Sequence, residues 1–149
     1  MSRFTNRFIV SAPIEKVWNF YTDIKHLEII TPQKLNLKVI DTTNDKISTG
    51  QECTISAKML TRKRWRSKIV ACSPYEYTDE MLEGPFKKWK HVHKFNEISR
   101  NETEIIDEID FELSYGIIGR LANFYIIHVL EKIFENRRVA TKIHLDKKY

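Results

Sequence analysis

The chain contains few of the residues that interrupt regular structure, with only four glycines and four prolines in 149 residues. No Gly/Pro/Ser-rich linker, internal repeat or low-complexity segment divides it. We therefore predict a single domain over residues 1–149, built from long secondary-structure elements. At 42% apolar content, a chain of this length can bury a core of its own.

Long hydrophobic segments are also missing. The first residues, Met1 to Arg7, form no apolar signal region, and the longest apolar stretch, residues 117–130, is interrupted by polar side chains and is too short to span a bilayer. Cysteine is scarce, with only Cys53 and Cys72. We therefore expect reduced thiols, no integral membrane segment and a cytoplasmic location.

Familiar catalytic and nucleotide-binding signatures are absent: there is no Gly-rich phosphate loop, no Gly-x-Ser-x-Gly elbow and no Cys-x-x-Cys pair. The formal net charge of +5 is moderate, and much of it lies in residues 62–68 and 87–94. No base-stacking or DNA-recognition pattern accompanies these basic residues. We interpret them as the solvent faces of two neighbouring strands and expect no nucleic-acid partner, while peripheral contact with anionic lipid stays open.

Apolar periodicity predicts an α+β architecture. A first strand over residues 3–10 precedes two short helices, at residues 15–21 and 24–30. A helix over residues 117–145, apolar almost all round in its first half, is the only element long enough to cover a large sheet. Between them the period changes to two, which predicts an antiparallel meander of strands at residues 35–41, 51–60, 63–72, 75–83, 85–97 and 103–113.

The predicted strand over residues 85–97 has two faces of different chemistry. Its outward face is rich in lysine, because Lys88, Lys90 and Lys94 share one parity. The opposite face is too polar for an ordinary core and too aromatic for an ordinary surface, which is typical of a strand that lines a ligand cavity. That face carries Trp89, His91, His93 and Phe95.

Neighbouring strands add carboxylates to the same face. The turns expected at residues 84–85 and 99–102 put Asp79 near His91 and Asp107 opposite His93, so two imidazoles would lie between two carboxylates. In the strand over residues 63–72, alternation predicts that Trp65, Ser67, Ile69 and Ala71 point inward.

The order of these elements, together with Glu83-Gly84-Pro85-Phe86, His91-x-His93-x-Phe95 and Asp107, resembles the SRPBCC superfamily. This is the START/birch-pollen-allergen-like helix-grip fold, and the chain is most similar to its cyclase/dehydrase-like bacterial branch. The segments Ala12-Pro13-Ile14-Glu15-Lys16-Val17-Trp18 and Tyr115-Gly116-Ile117-Ile118-Gly119 resemble it too.

The resemblance implies a curved antiparallel sheet of about seven strands, wrapped round the long C-terminal helix and following two short helices after the first strand. It also implies a deep cavity for a hydrophobic small molecule between the sheet and that helix. Relatives bind lipids, sterols, polyketides, quinones or plant hormones, and some catalyse cyclisation or dehydration. No catalytic motif is shared widely enough to be carried over to this chain.

We predict ligand contacts from the residues expected to face this cavity. Three of them, His91, His93 and Asp107, are also the candidates for catalysis. The predicted contact residues are Trp65, Asp79, Met81, Trp89, His91, His93, Asp107, Ile109, Phe124 and His128.

Three interpretations of the histidine–aspartate group compete. It can anchor the polar end of a ligand, it can transfer protons as a His–Asp pair, or it can hold a metal with Asp107 completing the set. A fourth interpretation is that these groups simply satisfy one another's hydrogen bonds in a wet interior. We favour the anchor and this last interpretation over catalysis, and expect neither a metal nor another cofactor. The predicted function is therefore binding of a lipid, polyketide, quinone or similar molecule. The alternatives are a cyclase/dehydratase-type enzyme and a peripheral lipid-handling protein at anionic membrane.

Overall fold

The computed structural model describes residues 1–58, 61–114 and 116–146. For residues 116–121 it describes the backbone alone. Its element order confirms the predicted α+β architecture, with a 3-10 turn at Gln33–Leu35 in addition. The elements are β1 (Ser2–Val10), α1 (Ile14–Tyr21), α2 (His26–Ile30), β2 (Lys38–Thr42), β3 (Glu52–Lys58), β4 (Arg62–Ser73), β5 (Glu76–Glu83), β6 (Lys88–Ser99), β7 (Glu102–Glu112) and α3 (Gly116–Leu145).

The strands form one antiparallel sheet of seven, in the order β1-β7-β6-β5-β4-β3-β2. Strands β2 to β7 follow the predicted meander, because each pairs with the next one along the chain. Strand β1 joins the far edge and pairs with β7, with Phe4 opposite Ile109. The first and last strands therefore lie side by side, and the helices pack on the face that the sheet curves around.

The buried side chains described for α3 form one stripe from Leu130 to the end of the helix. Leu130, Phe134, Arg137, Thr141 and Leu145 are all buried, and they follow one another at steps of four, three, four and four residues. The first two pack with Phe4, Ile109 and Phe111 in one core cluster, whereas Leu145 packs in a second cluster with α1 and β6. The charged half of the helix thus supplies much of the cover of the sheet.

The first half of α3 differs from its prediction. Phe124 and Tyr125 are 76% and 65% exposed, although the apolar composition there predicted burial on most sides. One helix on one sheet buries only one stripe of side chains, and among the described residues no further layer covers its opposite side. Ile126 and Ile127 of the same half do pack against the core.

A β-bulge in β4 overturns part of the predicted inward face. Ile69 pairs with Asp79 and Ala71 pairs with Thr78, so the intervening Val70 has no partner of its own on β5. The parity of the strand therefore reverses after Ile69. Ala71 is exposed, contrary to the prediction, and Cys72 packs against the core instead.

The basic residues of β4 lie at the surface as predicted. Arg62, Lys63 and Arg64 are exposed, and Arg66 pairs with Glu83 at 2.9 Å. Cys53 and Cys72 are both free thiols. No helix within the described residues is long and apolar enough to cross a membrane.

Candidate functional site

A cavity of about 190 Å³ lies between the inner face of β3–β6 and the helices α1 and α2. Its wall combines isoleucine and leucine side chains with aromatic ones, Phe20 and Tyr21 from α1 facing Trp65, Tyr77 and Trp89 from the sheet. Among the described side chains of α3, Arg137 is the one that lines it. The predicted position between sheet and C-terminal helix is therefore only partly right, because the two short helices provide most of the cover.

Five of the ten predicted contact residues line this cavity: Trp65, Asp79, Trp89, His91 and His93. They come from three adjacent strands, β4, β5 and β6, and lie on the inward face that strand alternation predicted. Asp107 does not line the cavity. It is completely buried on β7, behind the two imidazoles.

The other four predicted contacts lie elsewhere. Ile109 is completely buried in the core cluster under α3, and Met81 is half-buried and packs against Gly84 at the end of β5. Phe124 is exposed, and the side chain of His128 is 58% exposed beside Glu131. The last two were expected to face the sheet because their half of α3 is apolar, but they lie on the helix face that points to solvent.

An aromatic group forms one end of the cavity wall. The rings of Trp65 and Trp89 meet edge to face at 4.8 Å between centroids, and Phe86 packs against Trp89 at the same separation. Such tilted contacts are the favoured geometry of aromatic pairs and hold the two indoles in fixed orientations. The two indole planes are nearly perpendicular, at 87°, so this end of the wall is angled.

The strand register confirms the predicted carboxylate positions. His93 lies opposite Asp107 on β7, and His91 lies opposite Asp79 on β5. The shortest side-chain contacts, however, run diagonally: His91 Nε2 is 3.0 Å from Asp107 Oδ1, and His93 Nε2 is 3.0 Å from Asp79 Oδ2. The two imidazole rings lie against each other with centroids 3.6 Å apart.

The remaining imidazole nitrogens close a ring of contacts. His93 Nδ1 is 3.2 Å from Asp107 Oδ1, and His91 Nδ1 is 3.9 Å from Asp79 Oδ2. Each imidazole therefore has one nitrogen toward Asp107, on the core side, and the other toward Asp79, on the cavity side. We call these four residues the His–Asp cluster.

Arg137 brings a positive charge to the cluster, which the sequence reasoning missed. Its Nη1 lies 3.8 Å from Asp107 Oδ1, and its guanidinium carbon lies 4.6 Å from the centre of the Phe134 ring. The signal was its spacing, because Arg137 falls on the same helical stripe as Leu130, Phe134 and Thr141. Its buried Nε has no hydrogen-bond partner among the described residues.

Burial and charge give the two imidazoles opposite protonation behaviour. Burial, reinforced by the neighbouring His93, lowers the pKa of His91 to about 4. Burial also opposes a charge on His93, but the carboxylates of Asp107 and Asp79 outweigh it and raise the pKa of His93. Burial likewise opposes charge on Asp107, yet contacts with both imidazoles lower its pKa. His93 therefore keeps its proton to a higher pH than His91 does.

Cys53 lines the cavity but is a poor nucleophile. Burial, with the nearby charge of Asp79, raises the pKa of its thiol to about 11. The reactive form of cysteine is the thiolate, which is scarce at neutral pH under these conditions. Cys53 therefore serves as wall rather than as a reacting group.

The helical part of the wall was also missed by the sequence reasoning. Phe20 of α1, Ile24 of the segment between the helices and Leu27 of α2 all line the cavity, at steps of four and three residues. That helix-like spacing was available in the sequence, although the chain leaves the helical conformation between α1 and α2. The same spacing fits helices that merely cover the sheet edge, so periodicity alone does not assign this face to a cavity.

The fold and the site define a class of protein: a helix-grip domain whose aromatic cavity has a histidine–aspartate cluster at one side. Residues 10–136 match the family model described as polyketide cyclase/dehydrase and lipid transport. Because this match covers most of the chain, the protein belongs to that family, in the SRPBCC superfamily. The membership supports binding of a hydrophobic ligand, or cyclase-type chemistry on one, in general terms.

Solved structures show the same fold at low sequence identity. TTHA0849 from Thermus thermophilus is 15% identical, with 95% of this chain and 94% of that chain covered at a TM-score of 0.76. A START superfamily protein from Mycobacterium smegmatis is 10% identical, with 96% of each chain covered and a TM-score of 0.72. The Zhui aromatase/cyclase from a Streptomyces species is 18% identical, covering 95% and 88% of the two chains, with a TM-score of 0.67. Comparison with curated protein sequences gives no match.

Proposed function

We propose that this protein binds a small hydrophobic molecule that carries an acidic or hydrogen-bonding oxygen at one end. The observation that supports this most is the division of the cavity wall into an aromatic part and a charged part. Trp65, Trp89 and Tyr77 supply the aromatic part. His93, whose pKa is raised, and Arg137 supply the positively charged part. The buried Nε of Arg137, unpartnered among the described residues, is a donor that a ligand oxygen can satisfy.

The cavity volume narrows the ligand class. Drug-sized ligands occupy pockets of roughly 300–1,000 Å³, whereas an apolar cavity of about 150 Å³ holds one benzene molecule. A volume of about 190 Å³ therefore fits a single substituted ring or a short acyl chain. Among the ligand types that the family resemblance implied, small quinones fit, whereas a sterol or a multi-ring polyketide requires a larger cavity. Single-ring aromatic acids fit as well.

Isothermal titration calorimetry with graded ligands tests this function. Hydroxybenzoates and small quinones should bind, and a sixteen-carbon fatty acid should not. Ser67 lines the cavity, so Ser67→Phe should fill it and abolish binding, while Ser73→Phe, at the exposed end of the same strand, should bind like the wild type. Absence of binding by every graded ligand, or equal binding by both variants, would refute the proposal.

A second candidate function is proton transfer on the bound molecule, as in a cyclase or dehydratase. The observation that favours it is His91, a cavity-lining imidazole that stays neutral and is oriented by the Asp107 carboxylate. His91→Gln should then lower kcat by at least about a hundredfold while the ligand affinity changes little. Parallel losses of affinity and turnover would favour binding alone.

The location and the membrane alternative also belong to this proposal. We place the protein in the cytoplasm, which is supported by its two free thiols. The exposed basic residues Arg62, Lys63 and Arg64 support peripheral contact with anionic lipid. Cosedimentation with phosphatidylserine vesicles, decreasing as salt is added, would favour lipid handling. Equal cosedimentation at low and high salt would argue against it.

A further inference from the structure

We propose that Asp79, His91 and His93 bind a divalent transition-metal ion, with Asp107 orienting both imidazoles from the core side. This goes beyond the proposed function and does not depend on it, since metal binding requires no organic ligand. It also revises the expectation from the sequence, which weighed a metal completed by Asp107 and favoured none. In the structure, Asp79 takes the cavity-side position and Asp107 lies behind the rings.

The donor atoms lie close enough to share one ion. A donor atom of each of the three residues lies within 4.8 Å of the other two. Asp79 Oδ2 is 3.0 Å from His93 Nε2 and 3.9 Å from His91 Nδ1. Ligand atoms bound at about 2.1 Å in tetrahedral or octahedral geometry lie roughly 3.0–3.4 Å apart. Of the three donor pairs, Asp79–His93 already meets this spacing and Asp79–His91 requires a movement of about half an ångström. The donor nitrogens of His91 and His93 lie within 4.8 Å of each other and must also move closer to share an ion.

Asp107 provides the second observation that points to a metal. Its Oδ1 lies 3.0 Å from His91 Nε2 and 3.2 Å from His93 Nδ1, which are the nitrogens opposite those that face Asp79. Metal-binding histidines usually donate their other N–H to a carboxylate, which fixes the ring and leaves the free lone pair for the ion. Here the completely buried carboxylate of Asp107 accepts a hydrogen bond from His91 Nε2, while His93 Nδ1 lies 3.2 Å from the same oxygen without hydrogen-bond geometry.

The chemistry of the donors selects the ion. Two imidazoles and one carboxylate suit Zn²⁺, Fe²⁺ or Co²⁺, whereas Mg²⁺ and Ca²⁺ prefer all-oxygen sites. Asp79, His91 and His93 all line the cavity, so the coordination positions that they leave open face it. This is the arrangement of sites whose metal contacts a substrate, rather than of closed structural sites.

Charge balance indicates what the open positions would accept. Metal binding displaces any proton on His93, because a histidine ligates an ion through a neutral imidazole. Around two neutral imidazoles, the carboxylates of Asp79 and Asp107 and the guanidinium of Arg137 sum to one negative charge. A dication changes that sum to one positive charge. An anionic oxygen, from hydroxide or from an acidic ligand in the cavity, would neutralise it.

Metal titration of chelator-treated protein tests the site. We expect one Zn²⁺ per chain by calorimetry, one Co²⁺ with visible d–d absorption, and no binding of Mg²⁺. Asp107→Asn should weaken Zn²⁺ binding by about 10–100-fold, and loss of a ligand in His91→Gln should weaken it further. Asp79→Asn should disturb the fold less than Asp107→Asn does, because the side chain of Asp79 is 17% exposed and that of Asp107 is completely buried. Circular dichroism of each variant checks that it is folded.

The matched control is His128→Gln, which removes an exposed histidine far along α3 from the cluster. It should bind Zn²⁺ as the wild type does. Failure of the wild type to bind Zn²⁺ or Co²⁺ stoichiometrically would overturn the site, as would equal binding by folded Asp79→Asn and wild type. Because these titrations contain no organic ligand, their outcome is separate from that of the ligand-binding experiments.

Discussion

The imidazole rings of His91 and His93 lie 3.6 Å apart at their centroids, and both contact the same oxygen of Asp107. Two charged imidazoles at this separation repel, whereas one charged and one neutral ring can share the carboxylates around them. The folded pair therefore disfavours a second proton, which is reflected in the lowered pKa of His91. This relationship couples the site to stability, to ligand charge and to metal binding.

The first prediction concerns the pH dependence of stability in metal-free protein. Unfolded, both histidines titrate near 6.5; folded, the pKa of His91 is about 4 and that of His93 is raised. Below pH 6.5 the unfolded chain binds more protons than the folded one, so stability falls as the pH drops toward 4. Above 6.5 the folded chain binds more, so stability falls as the pH rises through the pKa of His93. The contribution of the pair should therefore be largest near pH 6.5.

Urea unfolding of the wild type and His91→Gln from pH 4 to 9 checks this prediction. Subtracting the two curves cancels the other titrating groups. The wild type should lose stability relative to His91→Gln as the pH falls from 6.5 toward 4, because His91 is then charged only in the unfolded chain. If the difference in the free energy of unfolding between the two proteins does not change over this range, the lowered pKa of His91 is contradicted.

The second prediction concerns the buried carboxylate. Asp107→Asn removes the charge that compensates His93 and Arg137 in a completely buried position, and should destabilise the fold by about 3–5 kcal/mol. Asp110→Asn is the matched control on the same strand, since Asp110 pairs with the exposed Arg3. It should change the free energy of unfolding only slightly. Similar effects of both substitutions would show that the cluster does not stabilise the fold.

The third prediction separates ligand charge from ligand shape. Arg137→Gln should weaken binding of an acidic ligand by roughly tenfold or more, while a neutral analogue of the same shape binds almost unchanged. Arg138→Gln is the control, because Arg138 pairs with Glu135 at the surface. Competition calorimetry with benzoate-type and benzamide-type compounds measures the difference. Equal losses for both ligand types would indicate that Arg137 acts through packing.

The fourth prediction concerns the contact between α1 and α3. The hydroxyls of Tyr21 and Thr141 lie 2.8 Å apart and are buried. Tyr21→Phe leaves Thr141 without this partner and should cost about 1–2 kcal/mol in the free energy of unfolding. Tyr125→Phe, on the exposed face of α3, should be neutral. Chemical denaturation measures both, and a neutral Tyr21→Phe would mean that water replaces the lost hydroxyl.

Strand alternation was a reliable guide where strands are regular. It placed Trp89, His91, His93 and Phe95 on one inward face, and the structure agrees. It also put Asp79 opposite His91 and Asp107 opposite His93, as observed. Side chains on a pleated strand point alternately to its two faces, so position along the strand determines the face directly.

Alternation failed where the backbone leaves the regular pattern. The bulge between Ile69 and Ala71 reverses which residues of β4 point inward. That strand contains no glycine or proline from which the bulge could be predicted. In α3, composition predicted burial almost all round the apolar half, but Phe124 and Tyr125 of that half are exposed, and the packing stripe continues through Arg137 in the charged half. A helix shows its buried side only when the sheet beneath it is known.

Periodicity and turn residues are local properties of the chain, and they predicted the element order, the six-stranded meander and the mixed face of β6. Three relations follow from the tertiary structure alone: Asp79 faces the cavity, Asp107 faces the core, and Arg137 lies beside Asp107. Those relations depend on the curvature of the sheet and on where helices from both ends of the chain lie across it. The face of β6 that carries the histidines could be predicted from the sequence. The opposite pKa shifts of His91 and His93, and the proposed metal site, arise from contacts between residues far apart in sequence.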